Sequence, residues 1–454
     1  MVLVLYDAIA LNHPPMHALL DRDAPASYAL LLRQRQHATI VSGLVCVTAA
    51  LALSPLLLTT YWLATAWLCW RGGVCFSYNL TPVHAISFGI PLEKFREPWP
   101  KERRHHVFSS NLPGSDEGGS YEHNYITDSE EAYYNLNSAA WFAITHKRAG
   151  WDAMRHYEII AAGALPYFLD LERCPLHTLQ ALPKAKLLEA RHLPGMPSLH
   201  KVRMAFGHNS SGRLRRLRAL PTNLSVTHAA YESLRRHVRT HALRHLTTTA
   251  VAMRVLRLSG AERLVKSLQA RLSNGSSSDS AAPDTHGRQP PSSLCRILLL
   301  TPHGSWDYQA LTVQHGFLSL GCSVDTLPEM PYVFSDGPEP ASQYGRGFTW
   351  ARLLPASWRG ERKQATIEVR LRTTNFYSLV IAATGSNQPM RSAEWDALLS
   401  RVDRHKVVCL HGNDALFTPP VWRWWVPRFC SRLFARELCI RPRTWDAWPQ
   451  EMTC

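Results

Sequence analysis

From Ala38 to Trp70 the chain carries no Asp, Glu, Lys or Arg. A core helix rarely goes so long without a charge, whereas a membrane-spanning helix needs roughly 20 apolar residues. The run is longer than that and Pro55 divides it. It reads as one tilted or kinked span, with a short hairpin of two as the alternative and a pair of buried core helices as the soluble competitor. It starts too late for an ordinary signal peptide. Arg33 and Arg35 closely precede it and only Arg71 closely follows it. The positive-inside bias therefore makes residues 1–37 a cytosolic tail and places the bulk of the chain in a lumen. That is the layout of a single-pass type II membrane protein of the Golgi or endoplasmic reticulum. Asn79, Asn209, Asn223 and Asn274 each open an N-x-[ST] sequon beyond the span, which agrees with a lumenal glycoprotein.

The 454 residues carry a net charge of +15, which favours anionic partners. The charge is local: residues 201–271 hold fifteen Lys or Arg against only Glu232 and Glu262. The rest of the chain is nearly neutral, so a polyanion binder along its whole length is excluded. The ten cysteines form no CxxC pair and no His/Cys spacing of a structural zinc site. They are too few for a disulfide scaffold of this length, though one or two bridges are compatible with it.

Residues 273–293 (SNGSSSDSAAPDTHGRQPPSS) have the composition of a flexible, disordered linker. The expected division is a lobe over 83–272, the linker, and a second lobe over 294–454. The second half alternates strands and helices: Arg296–Leu300, a helix from Asp307 or Tyr308 to Leu320, Ser323–Thr326, Tyr377–Ala382, the helix Ser392–Arg401, and Lys406–Leu410. Such alternation predicts an α/β fold with a parallel sheet. Ligands of parallel sheets bind at the carboxyl ends of the strands. Here those ends carry Thr301–Asp307, Thr384–Ser386 and His411–Asp414. No dinucleotide fingerprint or P-loop follows the first strand.

The sharpest segment of the first half is a strand-loop-helix-strand unit: Trp141–Thr145, the turn His146–Gly150, a helix from about Asp152 to Ala162, and Leu165–Leu169. Asp152, Arg155 and Glu158 recur every three residues and so share one face of the helix. Asp152 can cap its N-terminus. Lys147 and Arg148 precede Trp151 near the positive end of the helix dipole, which suits a diphosphate. Glu158, further along, could accept hydrogen bonds from both hydroxyls of a ribose, and Gly163 allows the tight exit turn. A salt-bridged helix face without a ligand is the alternative.

The sequence KRAGWDAMRHYEIIAAGALPYF (147–168) resembles the donor-nucleotide lobe of GT-B glycosyltransferases, especially the exostosin-like and related families. There an R-x-x-E pair opens a helix that ends in a small-residue turn before a G-x-x-P-type strand. The matching positions are Arg155, Glu158, Gly163 and Pro166. By that resemblance Glu158 would hold the ribose, and Arg155 with Lys147 or Arg148 would face the diphosphate. The likeness extends from about Ile86 to about Leu256. RILLLTPHGSWDYQALTVQHGFLSLG, QYGRGFTWARLL, YSLVIAATGS and KVVCLHGNDA in the second half resemble the acceptor-side lobe. In the usual order that lobe comes first, so the two lobes are swapped here. The resemblance implies two Rossmann-like lobes and a sugar carried from a nucleotide-sugar donor to a glycan, protein or lipid acceptor.

Such an enzyme needs no metal, since cations and the helix dipole neutralise the leaving diphosphate. No convincing Asp-x-Asp metal signature is seen, and no cofactor is expected. An inverting reaction needs a general base, for which His303, Asp307 and Asp414 stand at strand ends. Asp307 is also placed to cap a helix, and Asn413-Asp414 suits a turn. His237, His241 and His245 share a helix face among arginines and read as a solvated basic face rather than a zinc site. The run RLRRLR (213–218) lacks the interleaved aromatics of a single-strand binder, so no nucleic acid is expected. The competing function is a non-catalytic, membrane-tethered protein that binds anionic lipid or nucleic acid through 201–271. The tryptophans at 422, 424 and 425 suit packing, a membrane interface or an acceptor groove.

Overall fold

The computed structural model describes residues 81–97, 104, 106–110, 112, 129–207, 212–223, 228–274, 292–301, 307–340, 347–373, 375–384, 398–400, 402–414 and 429–438. Residues 80–454 form one compact unit, and residues 1–79 separate as another. The apolar run 38–70 lies outside the described residues, as do the three clustered tryptophans and His303. Among the described residues no helix is long and apolar enough to cross a membrane.

The fold is α/β with two parallel sheets. Among the described residues nine strands build them: β1 (Val83–Ala85), β2 (His106–Phe108), β3 (Ala140–Thr145), β4 (Leu165–Phe168), β5 (Ser292–Leu300), β6 (Cys322–Leu327), β7 (Leu379–Thr384), β8 (Val407–His411) and β9 (Arg432–Ala435). The larger sheet has the order β1-β9-β8-β7-β5-β6, and the smaller one β2-β3-β4. The central strands are apolar almost without interruption, because a parallel sheet is covered on both faces. Ile297 to Leu300 and Val407 to Leu410 are buried accordingly. β5 sends its successors to opposite sides, β6 to one and β7 to the other. In parallel sheets such a reversal is where ligands bind, at the carboxyl ends of the strands.

The helices used below are α1 (Glu130–Ser138), α2 (Met154–Ala161), α3 (Lys184–Arg191), α4 (Leu199–Phe206), α5 (Arg213–Arg218), α6 (His228–His245), α7 (Thr248–Leu258), α8 (Glu262–Asn274), α9 (Tyr308–Ser319) and α10 (Gln364–Arg372). In α9 every residue from Gln309 to Leu318 is buried, and it packs on α7 from the first half of the chain. Thr248 Oγ1 meets His315 Nδ1 at 2.9 Å across that contact.

Two expectations about organisation need correction. The division at 272/294 does not separate the sheets: β1 runs parallel to β9, with Val83 opposite Leu433 and Ala85 opposite Ala435. The first half therefore completes the edge of the second half's sheet. The linker is also shorter than 273–293, since α8 continues to Asn274 and β5 starts at Ser292. Residues 275–291 lie outside the described residues. Two disulfides, Cys295–Cys322 and Cys409–Cys430, tie β5 to β6 and β8 to the segment entering β9.

Candidate active site at the carboxyl ends of the large sheet

The turn that leads into α2 is closed over a carboxylate. The Arg148 amide donates to the Gly150 carbonyl at 3.0 Å, and the Lys147 ammonium reaches the carbonyls of Arg148 and Ala149. Gly150 then packs on the far end of the chain. A Cβ built there would lie 2.5 Å from Glu437 Oε1 and 2.9 Å from Asp414 Oδ1, so any side chain here would displace both carboxylates. The Asp152 amide donates to Glu437 Oε1 at 2.8 Å. The KRAGW turn does hold an anion, but the anion is the protein's own Glu437.

Asp152 does not cap α2; Ala153 occupies that position without a side-chain bond. Its carboxylate instead accepts from the Phe88 amide at 3.0 Å and from the Tyr157 hydroxyl at 2.6 Å. Trp151 is buried in the core, and its carbonyl meets His156 Nε2 at 2.8 Å. Burial pushes His156 down to about 3, so the ring is neutral. Its Nε2 then donates to the Trp151 carbonyl and its Nδ1 accepts from Thr145 Oγ1 at 2.9 Å.

Arg436, directly after β9, is the cation of the site. It is 2% exposed and stacks over the Phe88 ring. Its guanidinium donates to the carbonyls of Asp152 and Gly412, pairs with Asp414, and approaches Glu437 Oε1 at 3.5 Å. Two carboxylates, those of Asp414 and Glu437, thus lie against this guanidinium, and the Asp152 carboxylate acts on it from further off. Burial raises Asp152 to about 6, against the pull of Arg436, and raises Glu437 to about 7. Burial would lower Arg436, but Asp152, Glu437 and Asp414 outweigh it and hold its proton more tightly. His411, at the end of β8, is pushed down to about 4 by burial and by Arg436. Glu437 is fully buried, whereas the Asp414 side chain is 44% exposed. Asp414 is therefore the acid through which the cluster meets solvent.

The remaining candidates are spread over other parts of the fold. Asp307 accepts from the amides of Gln309 and Ala310 as the N-cap of α9. Burial raises its carboxyl, those two amides and Arg436 lower it, and Asp414 raises it, which places Asp307 within the field of the same cluster. Arg155 Nε donates to the Ile144 carbonyl at 3.4 Å. Gly163 sits at φ 89° and makes the tight exit from α2. Glu158 departs most from its expected role. It is 4% exposed, and its oxygens accept from the Tyr133 hydroxyl at 2.7 Å and from Thr349 Oγ1 at 2.5 Å. Both oxygens are used inside the core, so the ribose contact expected of Glu158 is not the arrangement found.

Sequence reasoning missed Arg436 and Glu437. Their signal is an adjacent pair of opposite charges directly after the short apolar run Leu433–Ala435. That run is too short to mark itself as a strand.

The basic segment is less open than its charge suggests. Arg203 donates to the Leu169 carbonyl, and Arg216 to those of Ala205 and Gly207. Arg213 stacks over Phe206, Arg235 pairs with Glu232, and Arg239 reaches Arg96 and Glu97. Many of these arginines hold loops and helix ends together. Among the described residues no group of three or more His, Cys, Asp or Glu is arranged to hold a metal ion. No family model, curated protein or solved structure matches the chain.

Proposed function

We propose that the chain is a membrane-anchored transferase that works at the carboxyl ends of the large sheet. In this reading it moves a sugar from a nucleotide-activated donor to a glycan, protein or lipid acceptor. The convergence of Asp414, Arg436 and Glu437 on the Gly150 turn carries the reading: a solvent-reaching carboxylate paired with a buried guanidinium, beside a buried acid with a raised pKa, stands at strand ends, where chemistry concentrates in parallel α/β folds. The sugar and the nucleotide come from the resemblance of 147–168 and of the second half to GT-B enzymes. The two parallel sheets would serve as its two Rossmann-like bodies.

In an inverting displacement the acceptor oxygen bonds to the anomeric carbon while the bond to the diphosphate oxygen breaks. The electron pair leaves with the nucleoside diphosphate, and the acceptor proton needs a base. Asp414 takes that proton, held by Arg436 and reachable from solvent. Lys147 and Arg148, just before Gly150, supply cations for the leaving diphosphate. Asp307 serves as a helix cap, and Glu158 is a core residue. No metal or cofactor is assigned. The paired cysteines at 295/322 and 409/430 agree with folding in an oxidising lumen, and Asn223 is exposed to a glycosylation machinery there.

The test compares full-length wild-type chain with Asp414→Asn in detergent, against a panel of uridine, guanosine and cytidine nucleotide sugars. Donor turnover should fall at least about 100-fold, the usual minimum for loss of a general base, with donor affinity nearly unchanged. A variant that turns donor over at the wild-type rate, or a wild-type chain that binds none of the donors, would overturn the assignment.

A further inference from the structure

A second site lies at the other end of the large sheet. Between the last turn of α6 and α7 is a groove of about 580 Å³ lined by Arg244, Arg254, Arg257, His241 and His245. The groove abuts the amino ends of the strands: Arg432, the first residue of β9, donates to the Leu258 carbonyl on its wall, and Leu320 on its rim leads into β6. No Asp or Glu lines it. Elsewhere buried or half-buried arginines meet carboxylates, as Arg359 does with Glu329 and Arg370 with Asp325. Arg244 and Arg257 form no ion pair among the described residues. Among the described residues Arg254 is held by neutral acceptors, the Ala85 carbonyl at 3.4 Å and Gln180 Oε1 at 2.8 Å.

The α6 dipole accounts for part of this charge, since cations favour a helix C-terminus and Arg244 and His245 occupy its last turn. It does not account for Arg254, which lies within α7. The rings of His241 and His245 lie with centroids 4.6 Å apart, tilted by 46°. Burial, His241 and Arg244 together lower His245, so the local potential disfavours even one more proton. Three guanidiniums converging on one concave surface without a counter-charge repel one another, and an anion seated among them relieves that repulsion. Met253 and Leu258 add an apolar wall beside the charges.

We propose that this groove binds a phosphate or sulfate monoester, with the ester oxygens held by Arg244, Arg254 and Arg257 and the esterified group against the apolar wall. The site stands independently of the transferase reading. Two sources could present this chemistry, a free phosphorylated or sulfated sugar and a lipid headgroup.

The experiment follows thermal unfolding of the full chain under inorganic phosphate and, separately, sulfate, with ionic strength held constant by chloride. A ligand that binds the folded state raises the midpoint by mass action. Wild type should be stabilised, and the double variant Arg244→Gln/Arg257→Gln should require at least about tenfold more anion for the same shift. Both residues are exposed, so the double variant should fold, and Arg244→Lys/Arg257→Lys should regain part of the effect. Arg236→Gln, exposed on α6 outside the groove, should behave as wild type. Equal stabilisation of wild type and the glutamine variant, or no stabilisation of either, overturns the proposal. Flotation with equimolar phosphatidic acid and phosphatidylcholine vesicles, against phosphatidylcholine alone, separates the sources. Preferential wild-type binding to the anionic vesicles that the glutamine variant loses identifies a headgroup. Equal flotation of the two proteins identifies a free ester.

Discussion

Glu158 and Glu437 are both buried glutamates; the first was expected to hold a ribose, and the second was not singled out in the sequence. Glu158 accepts from two neutral hydroxyls, those of Tyr133 and Thr349, on opposite sides of its carboxyl. Glu437 shares one guanidinium with Asp414, accepts from the Asp152 amide, and lies in the field of the Asp152 carboxylate. The first arrangement is closed: its acceptors are satisfied, and it joins α2 to the segment around Thr349. The second is electrostatically incomplete, because three negative charges act on one positive one. One member, Asp414, opens to solvent. Buried acids are common to structure and chemistry alike. What separates the two is whether local charges balance and whether any member reaches a substrate.

The largest effect should follow from removing the cation. Arg436→Met keeps much of the side-chain volume over Phe88 and leaves Asp152 and Glu437 buried without a counter-charge. Breaking a buried ion pair in this way costs about 3–5 kcal/mol. Urea unfolding should show that loss. A variant within about 1 kcal/mol of wild type would mean that the carboxylates are already neutral, and the contrast with Glu158 would disappear.

The next effect depends on pH. Burial places Glu437 in the folded state near 7, above the 4.5 of an ordinary glutamate. A raised carboxyl favours the folded state while it is protonated, below the unfolded value. That contribution is lost as pH rises through the folded value. Asp152, at about 6, acts in the same direction. His156 and His411 act oppositely, since their depressed values remove stability as pH falls below the ordinary histidine value. Wild-type stability alone therefore mixes opposing effects, and the difference from Glu437→Gln isolates one of them. The variant should gain on wild type as pH rises from about 5 to about 8, by at most about 3 kcal/mol. A difference that does not change with pH would show that Glu437 titrates normally.

The strands of the second half were legible because parallel strands buried on both faces are continuous apolar runs. Arg296–Leu300 and Lys406–Leu410 show this directly. The α2 unit was legible through its turn, its helix and Gly163. What could not be read was pairing across long separations. β1 and β9 have three and four residues, each too short for periodicity, and they find each other only in the folded chain. The site followed the same rule. The Gly150 turn has the chemistry of an anion cradle, and the sequence shows that much. That its anion is a carboxylate some 290 residues later follows only from where β9 ends. Glu158 misled for a related reason: the R-x-x-E spacing places it on a helix face but does not reveal that Tyr133 and Thr349 cover that face.

The smallest effect sharpens the comparison most. Glu158→Ala leaves two buried hydroxyls without their shared acceptor, which costs about 1–3 kcal/mol. Glu158→Gln should cost less, because its carbonyl oxygen still accepts one hydroxyl while the other rotates to accept from the amide. If Glu158 is a core residue, both variants should lower the unfolding midpoint in that order, and folded protein should bind nucleotide sugars with unchanged affinity. A ribose contact makes the opposite demand: affinity falls in the glutamine variant while stability holds. Measuring both quantities on the same samples decides between the two roles, since each role moves one observable and leaves the other in place. Loss of affinity without loss of stability would return the donor to α2 and reduce the Asp414 cluster to a structural charge network.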